Sequence, residues 1–382
     1  MGKNAYIGVN GTAKKVKKGY IGVNNVAKKI KKMWIGVNNV ARLFFSGEQV
    51  LSYYGTATAL SEARYQLAAT SVGNYALFGG GYNSSNAYSN VVDAYNTSLT
   101  RSTPTVLSQQ RNDLAATSVG NYALFGGGRS PSSVVDAYDT SLTRTSPTQL
   151  SVSRTMLAAT SVGNYALFGG GYSASSSTGC YKTVDAYDTS LTRTTPATLY
   201  TGRRLLAATS VGNYALFGGG RYSTNYCRDV DVYSSSLTYS YTYLSGSSGK
   251  SYRDELAATA VGDYALFGGG RNSDSPYFIA EVSGFNTSLT RVTVSELTQA
   301  RALLAATTIG NYAIFAGGLG ASGIRYNTVD AYDSSLTRST PTALSQVRES
   351  LAATSVGNYA LFGGGARTST TKVDTVDVYQ VS

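Results

Sequence analysis

Leu67 to Gly81 reads LAATSVGNYALFGGG, and near copies begin at Leu114, Leu157, Leu206, Leu256, Leu304 and Leu351. The spacings are 47, 43, 49, 50, 48 and 47 residues, a period at which self-similarity decides the architecture before any single element does. Each copy is followed by a second block, VDAYDTSLTR or a relative. These blocks begin at Val92, Val135, Val184, Val230, Val282 (degenerate, VSGF), Val329 and Val376.

Within one unit the pattern gives four short strands. LAATSV and NYALFG flank a two-residue turn, Gly73-Asn74 in the first copy and Gly262-Asp263 in the fifth, which suits a tight hairpin. VDAY is the third strand, Asp-Thr-Ser is a turn, and LTRTTPATL is expected to supply the fourth. The last unit stops soon after VDVYQ and so lacks a fourth strand. Residues 51–67, LSYYGTATALSEARYQL, align on 336–351 with one residue of slack near Gly55, matching Leu60 to Leu344 and Arg64 to Arg348. An N-terminal strand completing the C-terminal unit closes a ring and removes open sheet edges. The expected fold is all-β: a seven-bladed β-propeller over residues 50–382, closed by an N-terminal strand.

The double glycine after an apolar strand, with a Tyr in the third strand, resembles the kelch repeat family. The array departs from that pattern in lacking a fourth-strand Trp, since the only Trp is Trp34. The copper oxidases of that family ligate metal through His. This chain has no His, so the resemblance implies the fold and no redox activity.

The absence of His also excludes Ser-His-Asp and Cys-His catalysis and His-ligated zinc. Hydrophobic residues make up 42% and charged residues 14%, the composition of a chain that buries a core. The net charge of +11 is concentrated at the N-terminus: residues 1–47 hold ten basic and no acidic residues, and the remainder carries +1. No secretory signal follows Met1, and no apolar run is long enough for a membrane-spanning helix.

Residues 1–49 repeat with a period of 14: YIGVNGTAKKVKKG from Tyr6, YIGVNNVAKKIKKM from Tyr20 and WIGVNNVARLFFSG from Trp34. Asn10-Gly11 between an apolar and a Lys-rich segment signals a β-hairpin, with Asn24-Asn25 and Asn38-Asn39 as weaker versions. A helix over Val26–Met33 is the competing reading. These arrays resemble segments of tail and other virion proteins of phages that infect Gram-positive bacteria. The resemblance implies an anchoring and assembly role toward other virion proteins for Lys14, Lys15, Lys17, Lys18, Lys28, Lys29, Lys31, Lys32 and Trp34, with homo-oligomerisation as a further expectation. Nucleic acid is the less favoured partner of these lysines, because the repeats offer one aromatic per unit and no reading helix.

Two sets of residues in the propeller are candidate sites. Alternating strands put the second-to-third loops and the blade-to-blade connections on one face, and that face varies among the units. Its loops carry Tyr82, Tyr88, Arg129, Tyr172, Tyr181, Arg221, Tyr222, Tyr226, Arg228, Arg271, Tyr277, Arg325, Tyr326 and Arg367 amid Ser, Asn and Gly, the composition of adaptable binding loops. The second set is one arginine per unit, three residues before each LAAT motif: Arg64, Arg111, Arg154, Arg203, Arg253, Arg301 and Arg348. It is expected either to tie blades together through the third-strand Asp93, Asp136, Asp185, Asp231, Asp330 and Asp377, or to ring the channel as an anion site. Cys180 and Cys227 occupy equivalent loops of adjacent units and are expected to be free thiols.

These features together give the expected function: a non-enzymatic bacteriophage virion protein, attached through residues 1–49, whose propeller binds a host surface glycan or protein. The alternative is a cytoplasmic bacterial interaction scaffold whose basic arm holds nucleic acid or an acidic partner. No carboxylate pair recurs on the variable face, so no catalytic residue, metal or cofactor is expected.

Overall fold

A computed structural model describes residues 49–129, 132–174, 179–244, 249–273 and 277–382, and, by their backbone alone, residues 6–9, 12–15, 19–23, 26–30, 32–37 and 40–46. The chain divides into two compact units, residues 1–50 with Ser382 and residues 51–381.

The larger unit is a seven-bladed β-propeller whose blades are four-stranded antiparallel sheets. In the first blade Ala68–Val72, Tyr75–Gly79, Val92–Asn96 and Arg101–Ser102 pair in sequence order. Val72 faces Tyr75 across the turn, with Gly73 at φ +53. Each first strand packs on those of both neighbouring blades, and Ala352–Val356 of the seventh packs back on Ala68–Val72. The ring is closed where sequence placed the closure: Leu51–Ala57 pairs antiparallel with Val376–Val381 as the outer strand of the last blade.

The core lies between blades rather than within them. Seven apolar clusters fill the seven interfaces. In one, Leu77, Val92 and Leu107 meet Phe125 and Tyr138 of the next blade, all at most 1% exposed. Each such aromatic contributes about 1.5–3 kcal/mol through burial. The glycine that ends the second strand permits this approach, because a Cβ on Gly79 would stand 2.7 Å from Cε1 of Phe125.

The fourth strand departs from expectation. In five blades it is two residues long: Arg101–Ser102, Arg144–Thr145, Arg193–Thr194, Arg291–Val292 and Arg338–Ser339. In four of these Pro104, Pro147, Pro196 and Pro341 follow three residues after the arginine and cannot donate to the ladder, whereas the strand of the fifth blade ends as early without a proline. Only the start of LTRTTPATL is strand. The fourth blade carries no such proline, and its outer strand runs over Tyr239–Tyr243.

In the N-terminal unit Tyr6–Val9 pairs with Thr12–Lys15, Gly19–Val23 with Val26–Ile30, and Lys32–Val37 with Val40–Ser46. These are the hairpins of the 14-residue repeat, and Val26–Ile30 is strand rather than helix. Lys14, Lys15, Lys28, Lys29, Lys32 and Trp34 fall on these strands. Lys17, Lys18, Lys31 and the Asn-containing turns lie outside the described residues.

Candidate functional site: the axial mouth

The seven arginines are the frame of the site and not its lining. All are 0% exposed. Five contact their aspartates directly, Arg64–Asp93, Arg111–Asp136, Arg154–Asp185, Arg203–Asp231 and Arg301–Asp330, at 2.5–2.8 Å, and Arg348 contacts Asp377. Each also donates from the same guanidinium to a second-strand carbonyl, as Arg154 does to Phe168 at 3.0 Å. The carbonyl of each arginine takes the N–H of the third glycine of the preceding blade, Gly81 to Arg111 at 2.9 Å for example. Main chain to one blade and side chain into the next is an inter-blade tie. Full burial removes the arginines from any ligand, so the anion-ring alternative is corrected: a guanidinium spent on a buried carboxylate and two backbone carbonyl contacts is not offered to the channel.

Between each arginine and the leucine that precedes the first strand lie two residues that vary among the blades. The second of them, Gln66, Asp113, Met156, Leu205, Glu255, Leu303 or Ser350, has φ between 50 and 57. Its N–H donates to the carbonyl of its counterpart in the preceding blade, Asp113 to Gln66, Met156 to Asp113 and so on back to Gln66 to Ser350. This makes a closed circuit of seven hydrogen bonds of 2.9–3.1 Å around the axis. Left-handed backbone at non-glycine residues costs about 1–3 kcal/mol each and persists where the surroundings impose it, commonly at functional sites. The first of the two residues pairs with the residue after the glycine run: Tyr65 with Tyr82, Thr155 with Tyr172, Arg204 with Arg221, Asp254 with Arg271. Arg129 N–H likewise donates to the Asn112 carbonyl at 2.8 Å.

Three variable positions per blade are thus presented on an invariant frame around a cavity of about 650 Å³, within the size range of small-molecule sites. Its floor is the ring Leu67, Leu114, Leu157, Leu206, Leu256, Leu304 and Leu351, and its walls include Tyr65, Arg129, Tyr172, Arg204, Arg221 and Glu349.

The collar is charged and balanced. Asp113 lies 3.6 Å from Arg129, Asp254 3.3 Å from Arg221, Glu255 2.7 Å from Arg271 and Glu349 2.8 Å from Arg325. Several carboxylate oxygens here are buried without a hydrogen-bond partner in the protein: Asp113 Oδ2, both of Asp254, Glu255 Oε2 and Glu349 Oε2. Asp113 Oδ2 and the two Asp254 oxygens are held only by ion-pair contacts of 3.3–3.7 Å, and buried acceptors short of hydrogen bonds are costly and favour a ligand that brings donors. Burial pushes the Asp113 carboxyl up to about 6. Burial, with the neighbouring Asp254 charge, pushes Glu255 up to about 7. Arg204 caps the ring of Tyr172 at 4.4 Å.

The variable-loop residues expected from sequence separate into several groups. Arg129, Tyr172 and Arg221 line the mouth, and Arg271 and Arg325 hold its carboxylates. Tyr82 and Tyr88 form an edge-to-face row with Tyr65, with Lys372 Nζ 5.5 Å from the Tyr82 ring. Tyr226 supports the Arg221 guanidinium at 5.7 Å, and Arg228 sits over Tyr243 and Tyr252. Tyr181 and Tyr222 line a separate cleft. Tyr277 and Arg367 are exposed, and Tyr326 packs on Gly320. Sequence reading missed Gln66, Asp113, Met156, Glu255 and the rest of the inner ring. The available signal was two positions that vary between an arginine and a leucine that do not.

Cys180 and Cys227 are buried and not disulfide-bonded, Cys180 Sγ contacts the Arg221 carbonyl at 3.6 Å, and burial raises Cys227 to about 11. Among the described residues no group of three or more His, Cys, Asp or Glu is placed to hold a metal ion, and no helix is long and apolar enough to cross a membrane.

No protein-family model and no curated protein sequence matches the chain. Among solved structures, one titled "Structure of YjhT" is similar with a TM-score of 0.58 and 12% identity, over 75% of this chain and 99% of its own. At that identity the likeness shows the propeller fold alone.

Proposed function

We propose that the protein is a non-enzymatic component of a bacteriophage particle whose propeller binds a host surface glycan or protein at its axial mouth, with residues 1–49 attaching it to the particle. The observation that carries the binding half is the mouth itself. Seven near-identical blades spend their invariant residues on frame and their variable residues on one ring of side chains around a 650 Å³ cavity. The side chains of that ring vary while the backbone that presents them stays constant, and recognition accounts for this pattern. Pairing of each collar carboxylate with its own arginine suits binding better than proton transfer. Kelch kinship is part of this proposal and rests on the double-glycine and third-strand Tyr pattern. The virion half rests on the 14-residue Lys-rich repeats and their resemblance to phage tail segments, and the net positive charge concentrated in residues 1–47 fits docking onto an acidic particle surface.

Immunogold labelling of purified phage particles with antibody raised against the propeller tests location. The expected result is gold at the tail or capsid of intact particles. Label found only in the host cell lysate would support the cytoplasmic scaffold instead.

A further inference from the structure

The fourth blade departs from the other six in one direction. At the position after the connector leucine, six blades have Ser or Thr, as in Ser61, Ser108 and Thr298, and this blade has Tyr200. The backbone N–H there donates to the third-strand aspartate in either case, Ser108 to Asp136 at 3.1 Å and Tyr200 to Asp231 at 2.7 Å, so the frame does not need the ring. The outer strand of the same blade carries Tyr239, Tyr241 and Tyr243 where four others carry Arg-Ser/Thr and a proline. Tyr239 is accounted for, since its hydroxyl takes the arginine's place on Asp231 at 2.7 Å. Tyr200 and Tyr241 are not. They are 55% and 47% exposed, with rings stacked at 4.9 Å and 12°.

Tyr200 also walls a cleft of about 440 Å³ shared with Tyr181, Lys182, Thr201, Gly202 and Tyr222. Gly202 lets the Cys180–Lys182 segment close in, since a Cβ there would meet the Cys180 carbonyl at 2.9 Å. We infer that this cleft is a carbohydrate subsite. The ring of Tyr200, braced from behind by Tyr241, takes the apolar face of a pyranose, and the Tyr181 and Tyr222 hydroxyls and the Lys182 ammonium take its hydroxyl or acid groups. Three observations favour sugar over a protein partner. The cleft contains no Leu, Ile, Val or Phe to serve as the apolar anchor pocket of a protein interface. Its aromatic rings all carry hydroxyls. The exposed ring is held in place by stacking before a ligand arrives, which lowers the ordering cost of binding.

The inference rests on the receptor-binding reading for its biological setting, and its test separates the two. The full chain, with Y200A/Y241A and Y200F/Y241F variants, is titrated calorimetrically against chitohexaose, cellohexaose and an oligogalacturonate, and in parallel against intact Gram-positive cells. Near-UV circular dichroism confirms folding of each variant. The expected result is binding to at least one oligosaccharide, weakened tenfold or more by the alanine pair and kept within threefold by the phenylalanine pair. Failure of all three sugars to bind, or equal binding by the alanine pair, overturns the subsite. Cell binding untouched by the alanine pair, with none of the sugars bound, overturns the subsite and leaves the receptor reading, whose site is the axial mouth, standing. Sugar binding without cell binding keeps the subsite and removes the receptor reading.

Discussion

Arg253 is the arginine of the seven whose blade offers no aspartate. Ser283 stands in that place, donor–acceptor contact is to its hydroxyl at 2.9 Å, and the nearest carboxylate oxygen is that of Glu281 at 3.7 Å. Burial accordingly pushes Arg253 down to about 10. Ser283→Asp is expected to restore the pair of the other blades and raise stability by about 1.5–3 kcal/mol, the range for a hydrogen bond to a charged group. Asp136→Asn, which strands Arg111, is expected to cost about 3–5 kcal/mol. Urea unfolding followed by far-UV circular dichroism measures both.

Glu255 gives a second residue-scale prediction. Its folded carboxyl titrates at about 7 and that of Asp113 at about 6, above the ordinary values near 4. The folded chain therefore holds these protons where the unfolded chain has lost them, and stability falls as pH rises from about 4 to 7. The chain has no His to titrate in that window, so the melting temperature is expected to decline from pH 5 to pH 8, and Glu255→Gln to flatten the decline. A wild-type melting temperature that is constant over this range would contradict the account. The arginine–aspartate ties were legible in the sequence because both partners recur at fixed offsets. The inner ring was not, because its backbone is constant while its side chains share nothing that a pattern can register.

At the scale of elements, adjacent glycines have different reasons. Gly79 is needed for room beside Phe125, and the sixth blade already holds Ala316 at that position beside buried Phe362. Gly80 sits at φ +69 with the Arg111 carbonyl 2.6 Å from where a Cβ would be. Gly79→Ala is expected to cost about 1–2 kcal/mol by overpacking. Gly80→Ala should cost more, with about 1–3 kcal/mol from the left-handed backbone alone and the clash added. Equilibrium urea unfolding ranks them, and equal costs would contradict this assignment. Strand existence, hairpin turns and the third strand were readable from period-two patterning and Gly-Asn turns. In four blades a proline ends the fourth strand early, but the fifth ends as early without one, and only the structure showed the longer outer strand of the fourth blade.

For the molecule as a whole, the decisive contact is the pairing of Leu51–Ala57 with Val376–Val381, which spans the length of the propeller. Removing residues 1–57 leaves the last blade with a bare edge, and such edges template aggregation. That variant is expected to melt at a temperature lower by 5 °C or more and to aggregate, read by differential scanning calorimetry with light scattering; an unchanged transition would mean the ring does not depend on its closure. Seven blades and their closure followed from counting repeats. The mouth followed only once the connections and loops were placed together, since its lining joins the connections of all seven units to loop residues of three, Arg129, Tyr172 and Arg221.

The central claim is that the axial mouth captures a host surface ligand, and saturation binding of the fluorescently labelled full chain to intact Gram-positive cells tests it most directly. Saturable binding is expected, falling at least tenfold in an Arg129→Ala, Tyr172→Ala, Arg221→Ala variant whose near-UV circular dichroism shows it folded. Saturable binding that this folded variant retains in full, or no binding by the wild-type chain to any of the Gram-positive strains assayed, would overturn it.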